Sequence, residues 1–528
     1  MALVRVGDSR QWRSPDNLLG RESFSEKRLD IACSETKLID YGSTPAGTFL
    51  STPLELLRNL DLGNSVAEFD QRLSHYFVRT QLFLDVSSDR YDIVKGAKGA
   101  GKSAIYRALR EPTQPTLDPQ NTYVVPAFNE SGAPIFKQII EIEKNNESAF
   151  LGMWKVYIFV IASNFLCDKY KSEAQASLAE VISVLELNQL RSPEGSIANV
   201  WQRVRDFVKK AQFRYKKMGL DVKVEFGSTN KGIQEVEEKI ESMLLLIDRF
   251  LNEKKKRMWI LFDRLDESFA SHPDVEVPAL RGLCRAYLDL QSLSQIKLKL
   301  FFRHDLFRKI AQGGFVNLTH LEAKSVSIEW TPEDLHSLLC ARLRQNDRLM
   351  SQLGVDKRTS DDTLFRKIFS EQVDAGDRRP TTWNWILTRI EDGNGIRAPR
   401  NLIDLINLAK EAQIAKDQRA VKQVKRRVML LEPDSLKLAL DRLSDKRVND
   451  TLIAEMGDIA KVIARLRHGK AEHNVKSLAA LLGVRGAELD KVIATLKEGG
   501  VLAQTGDTLK IPMLYRAGLN ITQGKAFG

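Results

Sequence analysis

GAKGAGKS, residues 96–103, fits the pattern G-x-x-x-x-G-K-S/T at every fixed position. A β-like run, residues 91–95, precedes it and a helical pattern, residues 103–109, follows it. Glycines let the backbone take positive φ and turn its N–H groups toward a phosphate, and the start of the helix adds its positive end. An ordinary glycine turn would not need this context. We therefore expect a nucleotide-binding loop made of Gly96, Ala97, Lys98, Gly99, Ala100, Gly101, Lys102 and Ser103.

Two side chains of this loop would carry the phosphate chemistry. Lys102 would bridge the β- and γ-phosphates, and the Ser103 hydroxyl would ligate Mg²⁺. The sequence contains no Asn-Lys-x-Asp guanine signature, which favours ATP over GTP. The expected cofactors are therefore ATP and Mg²⁺.

A second apolar run, residues 258–262, ends in a carboxylate, Asp263. Strands that are apolar throughout are buried on both faces, and the carboxyl end of such a strand lies in the ligand crevice of an open α/β sheet. Asp263 is therefore expected to help hold Mg²⁺, the alternative being an acid in a surface turn. Asp266 and Glu267 follow, and either could polarise the attacking water or merely favour the start of a helix.

A third apolar run, residues 296–302, ends at Arg303. An arginine at this end of a strand would sense the γ-phosphate, or else would form a structural ion pair. Because three strands each deliver a phosphate- or metal-competent group at the same end, we expect Lys102, Asp263 and Arg303 to converge.

The order of these patterns predicts an α/β fold. Alternating strands and helices indicate a parallel sheet with crossover helices, and 528 residues leave room for several domains. The expected organisation is an N-terminal arm (1–60), a P-loop ATPase core (61–330) with a helical insertion (about 131–256), a helical lid (331–430) and a winged-helix domain (431–528).

Composition excludes several classes of protein. With 43% hydrophobic and 28% charged residues the chain is neither collagen-like nor of low complexity. Its four cysteines, Cys33, Cys167, Cys284 and Cys340, share no metal-type or disulfide-framework spacing. The first residues contain no apolar signal sequence, so a cytoplasmic protein is expected. The apolar residues 149–167 are expected to form a buried helix rather than a membrane span, because Lys155 interrupts them.

The sequence resembles bacterial P-loop ATPases that lie between the AAA+ class and the STAND class of signal-transducing switches. The resemblance rests on GAKGAGKS, ILFDRLDE, LKLFFRHDLF, IEWTPEDL and APRNLIDL, and it covers roughly residues 60–520. It implies that Arg400 is a lid arginine that contacts nucleotide, although from the residues alone Arg400 is only an arginine in the first turn of a helix. Many AAA+ enzymes have an acid directly after the Asp263 position, where this chain has Arg264. Hydrolysis will be slow if neither Asp266 nor Glu267 reaches the water.

The C-terminal quarter is the most basic part of the chain. Residues 401–528 hold 22 Lys and Arg against 15 Asp and Glu, while the whole chain has a net charge of +11. The basic run 416–427 could be a solvated face or could contact a phosphate backbone in DNA or RNA. Three amphipathic patterns, residues 458–466, 475–482 and 487–496, and a hairpin pattern over 501–511 predict a winged helix. The third helix carries mixed charges, so it could dock protein or bind DNA.

We therefore expect an ATP-driven molecular switch. Members of such groups are often encoded in phage-defence or mobile-element loci, so the resemblance implies antiphage defence or stress signalling. The sequence suggests a homo-oligomer acting with a separate effector protein, and Arg308 is a candidate arginine finger. A DNA-binding ATPase of the replication-initiator or transposition-helper type is the alternative. A small-molecule kinase using the same loop is a third hypothesis, which the chain length, Arg400 and the winged helix disfavour.

Overall fold

The computed structural model describes residues 52–111, 121–128, 147–192, 200–207 in part, 231–269, 273–312, 314–356, 358–419, 429–454 and 460–521. They belong to one of the two units into which the chain divides, Phe49–Gly528. Most of the predicted N-terminal arm, the β-like run 220–226 and most of the basic run 416–427 lie outside the described residues. Cys33 lies outside them as well.

A parallel sheet with the strand order β2-β3-β4-β1-β5 forms the centre of the fold. Gly96 at the end of β1 pairs with Arg303 at the end of β4, so these two carboxyl ends lie side by side. Phe262 at the end of β3 pairs with Leu300. The α/β fold with a parallel sheet that the sequence predicts is therefore confirmed. The strands are β1 Ile93–Gly96, β2 Thr122–Pro126, β3 Arg257–Phe262, β4 Ile296–Arg303 and β5 Ser325–Ser327.

Helices cover both faces of this sheet. On one face, Trp259, Leu261 and Phe301 pack against the helix that follows the glycine loop, Lys102–Arg110. On the other face, alternate residues of β3 and β4 join a larger apolar core. The helices of the sheet-containing part are Gln81–Ser87, Lys102–Arg110, Glu147–Ser177, Ala179–Leu187, Lys231–Glu253, Leu265–Ser268, Pro273–Asp289, His304–Ala311 and Leu318–Ala323.

The predicted helical insertion lies between β2 and β3. Its helical segment Glu147–Ser177, which is kinked at Lys171, packs on the helix Pro273–Asp289. The part up to the kink, Glu147–Lys171, is the one described segment that is long and apolar enough to cross a membrane. In that segment, 89% of the most apolar window is buried inside the fold. Lys155 is buried too and forms ion pairs of 2.6 Å with both Glu241 and Asp289. The segment therefore serves as a core helix in this fold.

The helical periodicity that begins at Val66, with Phe69, Leu73 and Phe77 expected on the same apolar face, does not produce one helix. Residues 66–77 form a 3-10 turn, Ala67–Phe69, and a separate short helix, Leu73–Tyr76. Arg107 donates hydrogen bonds to the carbonyl oxygens of Ala67 and Asp70. The same carbonyl groups accept i+3 bonds from the N–H groups of Asp70 and Leu73, in place of the i+4 bonds of a continuous α-helix. Phe69, expected on the apolar face, is 71% exposed. Contacts from a distant part of the chain override the local pattern here.

A second apolar core contains the helices that follow the sheet. Thr331, followed in the sequence by Pro332 and two acids, caps the first of them by accepting a hydrogen bond of 3.0 Å from the Asp334 N–H. The short helix Pro53–Asn59 packs into the same core, so these residues of the predicted arm are part of the body. The domain boundaries themselves stay a prediction. The helices are Pro53–Asn59, Pro332–Arg344, Asp347–Gln352, Asp361–Ile368, Thr382–Ile390, Pro399–Arg419 and Pro433–Arg447.

The C-terminal residues form three helices and a small antiparallel sheet of order β6-β8-β7. Their positions follow the predicted pattern closely, and Gly483 ends the second helix in the left-handed conformation. The short helix Met513–Arg516 follows this sheet. The elements are Ala460–Arg465, β6 Glu472–His473, Val475–Leu482, Gly486–Glu498, β7 Ala503–Thr505 and β8 Thr508–Lys510.

Candidate active site

The glycine loop joins β1 to the helix Lys102–Arg110, and two of its glycines are required by geometry. Gly101 has φ +103° at the start of the helix, and Gly99 has φ +77°. A Cβ atom on Gly99 would lie 2.9 Å from Cβ of Arg400. Only glycine therefore allows the helix Pro399–Arg419 to approach the loop this closely.

Lys102 lies at the centre of the site. Its ammonium donates hydrogen bonds of 3.0 Å to the carbonyl oxygens of Gly96 and Ala97. Burial lowers the pKa of Lys102, while the nearby carboxylates Asp263 and Asp266 act in the opposite direction. The ammonium is thus held in the loop, next to the acids that follow β3.

Asp263 is buried directly behind Ser103. Burial raises the pKa of Asp263 to about 6, and hydrogen bonding from the Ser103 side chain and the Arg264 backbone only partly offsets this effect. A buried carboxylate beside a hydroxyl group offers the hard oxygen ligands that Mg²⁺ prefers. The donor set around Ser103 therefore fits a magnesium ion, which would also compensate the buried negative charge.

Arg303 lies beside the same cleft and is engaged by acids. Its guanidinium makes two hydrogen bonds of 3.0 Å to Asp305 and one of 3.4 Å to Asp266. These partners raise the pKa of Arg303 despite its burial. Arg303 has a structural ion pair in this arrangement, and it also contributes positive charge next to Lys102.

Positive charge accumulates on the outer side of the loop as well. Burial lowers the pKa of Lys98, and the like charges of Arg400 and Arg303 lower it further. The backbone N–H of Arg400 donates a hydrogen bond of 3.5 Å to the carbonyl oxygen of Gly99. The buried Nε of Arg400 has no hydrogen-bond partner among the described residues. Several cations that repel one another thus surround one loop, an arrangement suited to a polyanion.

A largely apolar cavity extends from the loop toward the second core. Val78, Ile105, Ile328, Trp330 and Ile403 line it on different sides. The Trp330 indole donates a hydrogen bond of 2.8 Å to the carbonyl oxygen of Ala100, which fixes the ring against the loop. The cavity offers aliphatic walls and the planar ring of Trp330 beside the glycine loop, where the phosphates are expected.

Glu68 is a site residue that sequence reasoning missed. It lies in the turn Ala67–Phe69, and its carboxylate is 3.1 Å from Nη2 of Arg264. Burial alone would raise the pKa of Glu68, but hydrogen bonding from its own backbone and from Ser103, together with Arg264, lowers it overall. The helical periodicity of residues 66–77 gives no signal for a functional residue at this position.

The other predicted residues lie at the edge of the site. Glu267 approaches Arg264 at 3.8 Å, and burial raises its pKa. Arg308 lies 3.4 Å from Glu498 of the helix Gly486–Glu498, and both side chains are half exposed. The structure therefore brings together Lys98, Lys102, Ser103, Asp263, Asp266, Arg303 and Arg400, whose individual roles stay predictions.

No protein-family model matches the chain, and the search of curated proteins gave no match. Among solved structures, the chain is similar to a Walker-type ATPase of Pyrococcus abyssi, with 12% identity, a TM-score of 0.37, and coverage of 88% of this chain and 100% of that one. It is similar to the Orc1 protein of Aeropyrum pernix, solved in complex with DNA, with 10% identity, a TM-score of 0.34, and coverage of 87% and 96%. Cdc6p from Pyrobaculum aerophilum is similar at 11% identity, with a TM-score of 0.27 and coverage of 85% and 97%.

Proposed function

We propose that the chain is an ATP-binding, Mg²⁺-dependent ATPase that acts as a nucleotide-driven switch. The observation that carries this proposal is the set of four cations around the glycine loop, Lys98, Lys102, Arg303 and Arg400, set against a buried acid behind Ser103. A triphosphate with its metal ion would satisfy both halves of this charge distribution at once.

The chain's own groups would divide the work as follows. Backbone N–H groups of the loop and the ammonium of Lys102 bind the phosphates, and Ser103 and Asp263 hold the metal ion. When bound, Mg²⁺ would neutralise part of the negative charge on the β- and γ-phosphates. Glu267 is the better proton acceptor of the two acids after Arg264, because burial raises its pKa whereas Asp266 is engaged by Arg303. Since Glu267 also lies near Arg264, turnover should be slow.

The apolar cavity is the proposed site of the adenine base. Trp330 is held against the loop by its indole hydrogen bond, while Val78 and Ile403 contribute apolar surface from other segments. A planar aromatic ring and apolar side chains beside a phosphate site suit a purine ring. ATP is favoured over GTP because the sequence lacks the guanine signature.

Switching would pass through the helix Pro399–Arg419. Arg400, at its start, touches the glycine loop, and Asp404, one turn later, forms a buried ion pair with Arg447 of the helix Pro433–Arg447. Nucleotide that engages Arg400 would therefore act on both helices together. We propose that this movement repositions the C-terminal module, residues 460–510, which we interpret as a winged helix. The module would then be available for self-assembly or for binding an effector protein. Antiphage defence or stress signalling in the cytoplasm is the proposed setting.

A DNA-binding ATPase of the replication-initiator or transposition-helper type is the second candidate function. Its support is the C-terminal module, whose helix Gly486–Glu498 has an exposed face. That face carries Glu488 and Asp490 beside Lys491, so it is less basic than a recognition helix usually is. Binding to duplex DNA that weakens steeply with salt would favour this candidate, and no binding at ~50 mM salt would exclude it.

ATP turnover by the purified protein tests the main proposal, with and without DNA and with Lys102→Ala as the control. We expect slow, Mg²⁺-dependent release of phosphate by the wild type and none by the variant. Equal turnover by both proteins would contradict the site assignment. A screen for phosphorylated small molecules would separate an ATPase from a kinase that uses the same loop.

A further inference from the structure

A single segment, residues 62–70, contacts three separate parts of the ATPase site. We call it the strap. Arg107 of the helix after the glycine loop donates to the carbonyl oxygens of Ala67 and Asp70, the second at 2.9 Å. Arg342 of the helix Pro332–Arg344 forms an ion pair of 3.0 Å with Asp70. Arg264, directly after Asp263, pairs with Glu68 at 3.1 Å.

The strap is anchored on buried groups, which fixes the position of its tip. Asp70 is 2% exposed and also accepts a hydrogen bond from the Tyr76 hydroxyl. Arg342 is 4% exposed, donates to the carbonyl oxygen of Leu62 and lies over the Tyr76 ring at 4.3 Å. Breaking a buried ion pair is strongly unfavourable, so these contacts hold the strap in place. Glu68 is consequently presented to the site by a rigid support.

The tip of the strap brings a second carboxylate to Ser103. The turn Ala67–Phe69 packs on the helix Lys102–Arg110, which contains Ser103. The Ser103 side chain lies near both Glu68 and Asp263, and it lowers the pKa of each carboxyl group. Arg264, the residue at the position where many AAA+ enzymes carry an acid, has φ +56° and places its guanidinium against Glu68. The chain thus has Arg264 instead of an acid directly after Asp263. Glu68 of the strap supplies a carboxylate near the Ser103 hydroxyl group.

We propose that Glu68 belongs to the magnesium site and accepts hydrogen bonds from the water shell of the cation held by Ser103 and Asp263. This inference rests on the proposed ATPase function. Mg²⁺ keeps several of its waters in nucleotide sites, and carboxylates around that shell orient them. Arg264 competes with the cation for Glu68, so metal binding transfers Glu68 from the guanidinium to the hydrated ion.

Binding of Mn²⁺, used as a paramagnetic substitute for Mg²⁺, measures this directly. Electron paramagnetic resonance gives the Mn²⁺ affinity of the ADP complex, and a fluorescent ADP analogue in EDTA gives the metal-free nucleotide affinity. In Glu68→Gln we expect Mn²⁺ affinity to fall by about 10-fold. Glu68→Gln should bind metal-free ADP as well as the wild type does or more tightly, because the substitution removes a negative charge near the phosphates. Glu333→Gln is the matched control, since Glu333 is an exposed acid in the first turn of the helix Pro332–Arg344.

A second variant separates a role at the metal from a merely structural ion pair. Arg264→Asn suits the left-handed backbone at this position and removes the competing cation. If Glu68 acts on the metal, this variant keeps or strengthens Mn²⁺ binding. If Glu68 serves only to hold Arg264, both variants weaken Mn²⁺ binding equally, and the proposal is overturned. Unchanged Mn²⁺ affinity in Glu68→Gln overturns it as well. Absence of nucleotide binding by the wild type would instead refute the ATPase function itself.

Discussion

Replacing Asp263 with asparagine should stabilise the metal-free protein, although it removes a central residue of the site. Burial raises the pKa of Asp263 from its ordinary 3.8 to about 6. Between these two values the folded state keeps a proton that the unfolded chain releases, so stability falls as the pH rises through this window. A difference of about 2 pKa units corresponds to about 3 kcal/mol, which opposes folding at every pH above the window. Asparagine carries no charge and removes this penalty.

Thermal unfolding in EDTA at several pH values is the assay. With an entropy of unfolding of about 2.1 cal/mol/K per residue over the unit Phe49–Gly528, 1 kcal/mol corresponds to about 1 °C, so the variant should melt about 3 °C above the wild type at pH 7.5. The difference should shrink as the pH falls from about 6 toward 4 and disappear below about pH 3, where Asp263 is protonated in both states. Mg²⁺ with ATP should then raise the melting temperature of the wild type but not of the variant. A variant that melts lower at pH 7.5 would show that the carboxylate is stabilised without a metal ion, contrary to our reasoning.

Two further predictions concern the loop and the ion pair beside it. Gly99→Ala should weaken nucleotide binding by about 10-fold, because left-handed backbone strain of about 1–2 kcal/mol combines with a clash against Arg400. Gly395→Ala is the control, because Gly395 has a similar φ but an added Cβ atom would meet no neighbouring atom within 4 Å. Its nucleotide affinity, measured by fluorescence, should equal that of the wild type. Asp305→Asn should lower the melting temperature at pH 7. Burial alone would raise the pKa of Asp305, but pairing with Arg303 lowers it overall, so the ionised carboxylate stabilises the folded state. The loss of stability should vanish as the pH falls below that pKa, and a pH-independent loss would contradict this account.

The central sheet and the glycine loop could be predicted because their signals are local. A strand that is apolar at every position, such as residues 258–262, has few alternatives to a buried parallel strand. The cap at Thr331 and the turn at Gly483 likewise follow from one or two residues. The convergence of Lys102 and Asp263 followed from the rule that parallel strands end at one edge.

The strap and the cavity could not be predicted, because distant residues determine them. Residues 66–77 have helical periodicity, yet Arg107 binds the backbone carbonyl groups of Ala67 and Asp70. Arg342, more than 200 positions away, pairs with the Asp70 side chain. Glu68 enters the site only as a result of these contacts. Similarly, Trp330 faces the loop because β5 places its segment beside β1, a pairing that periodicity does not reveal.

Isothermal titration of the protein with ATP and Mg²⁺ tests the central claim most directly, with the wild type and Lys102→Ala compared. The wild type should bind one nucleotide per chain. The variant should lose about 10- to 100-fold in affinity, the worth of a charge-assisted hydrogen bond to phosphate. Equal affinities, or no binding by the wild type, would contradict a triphosphate site at this loop.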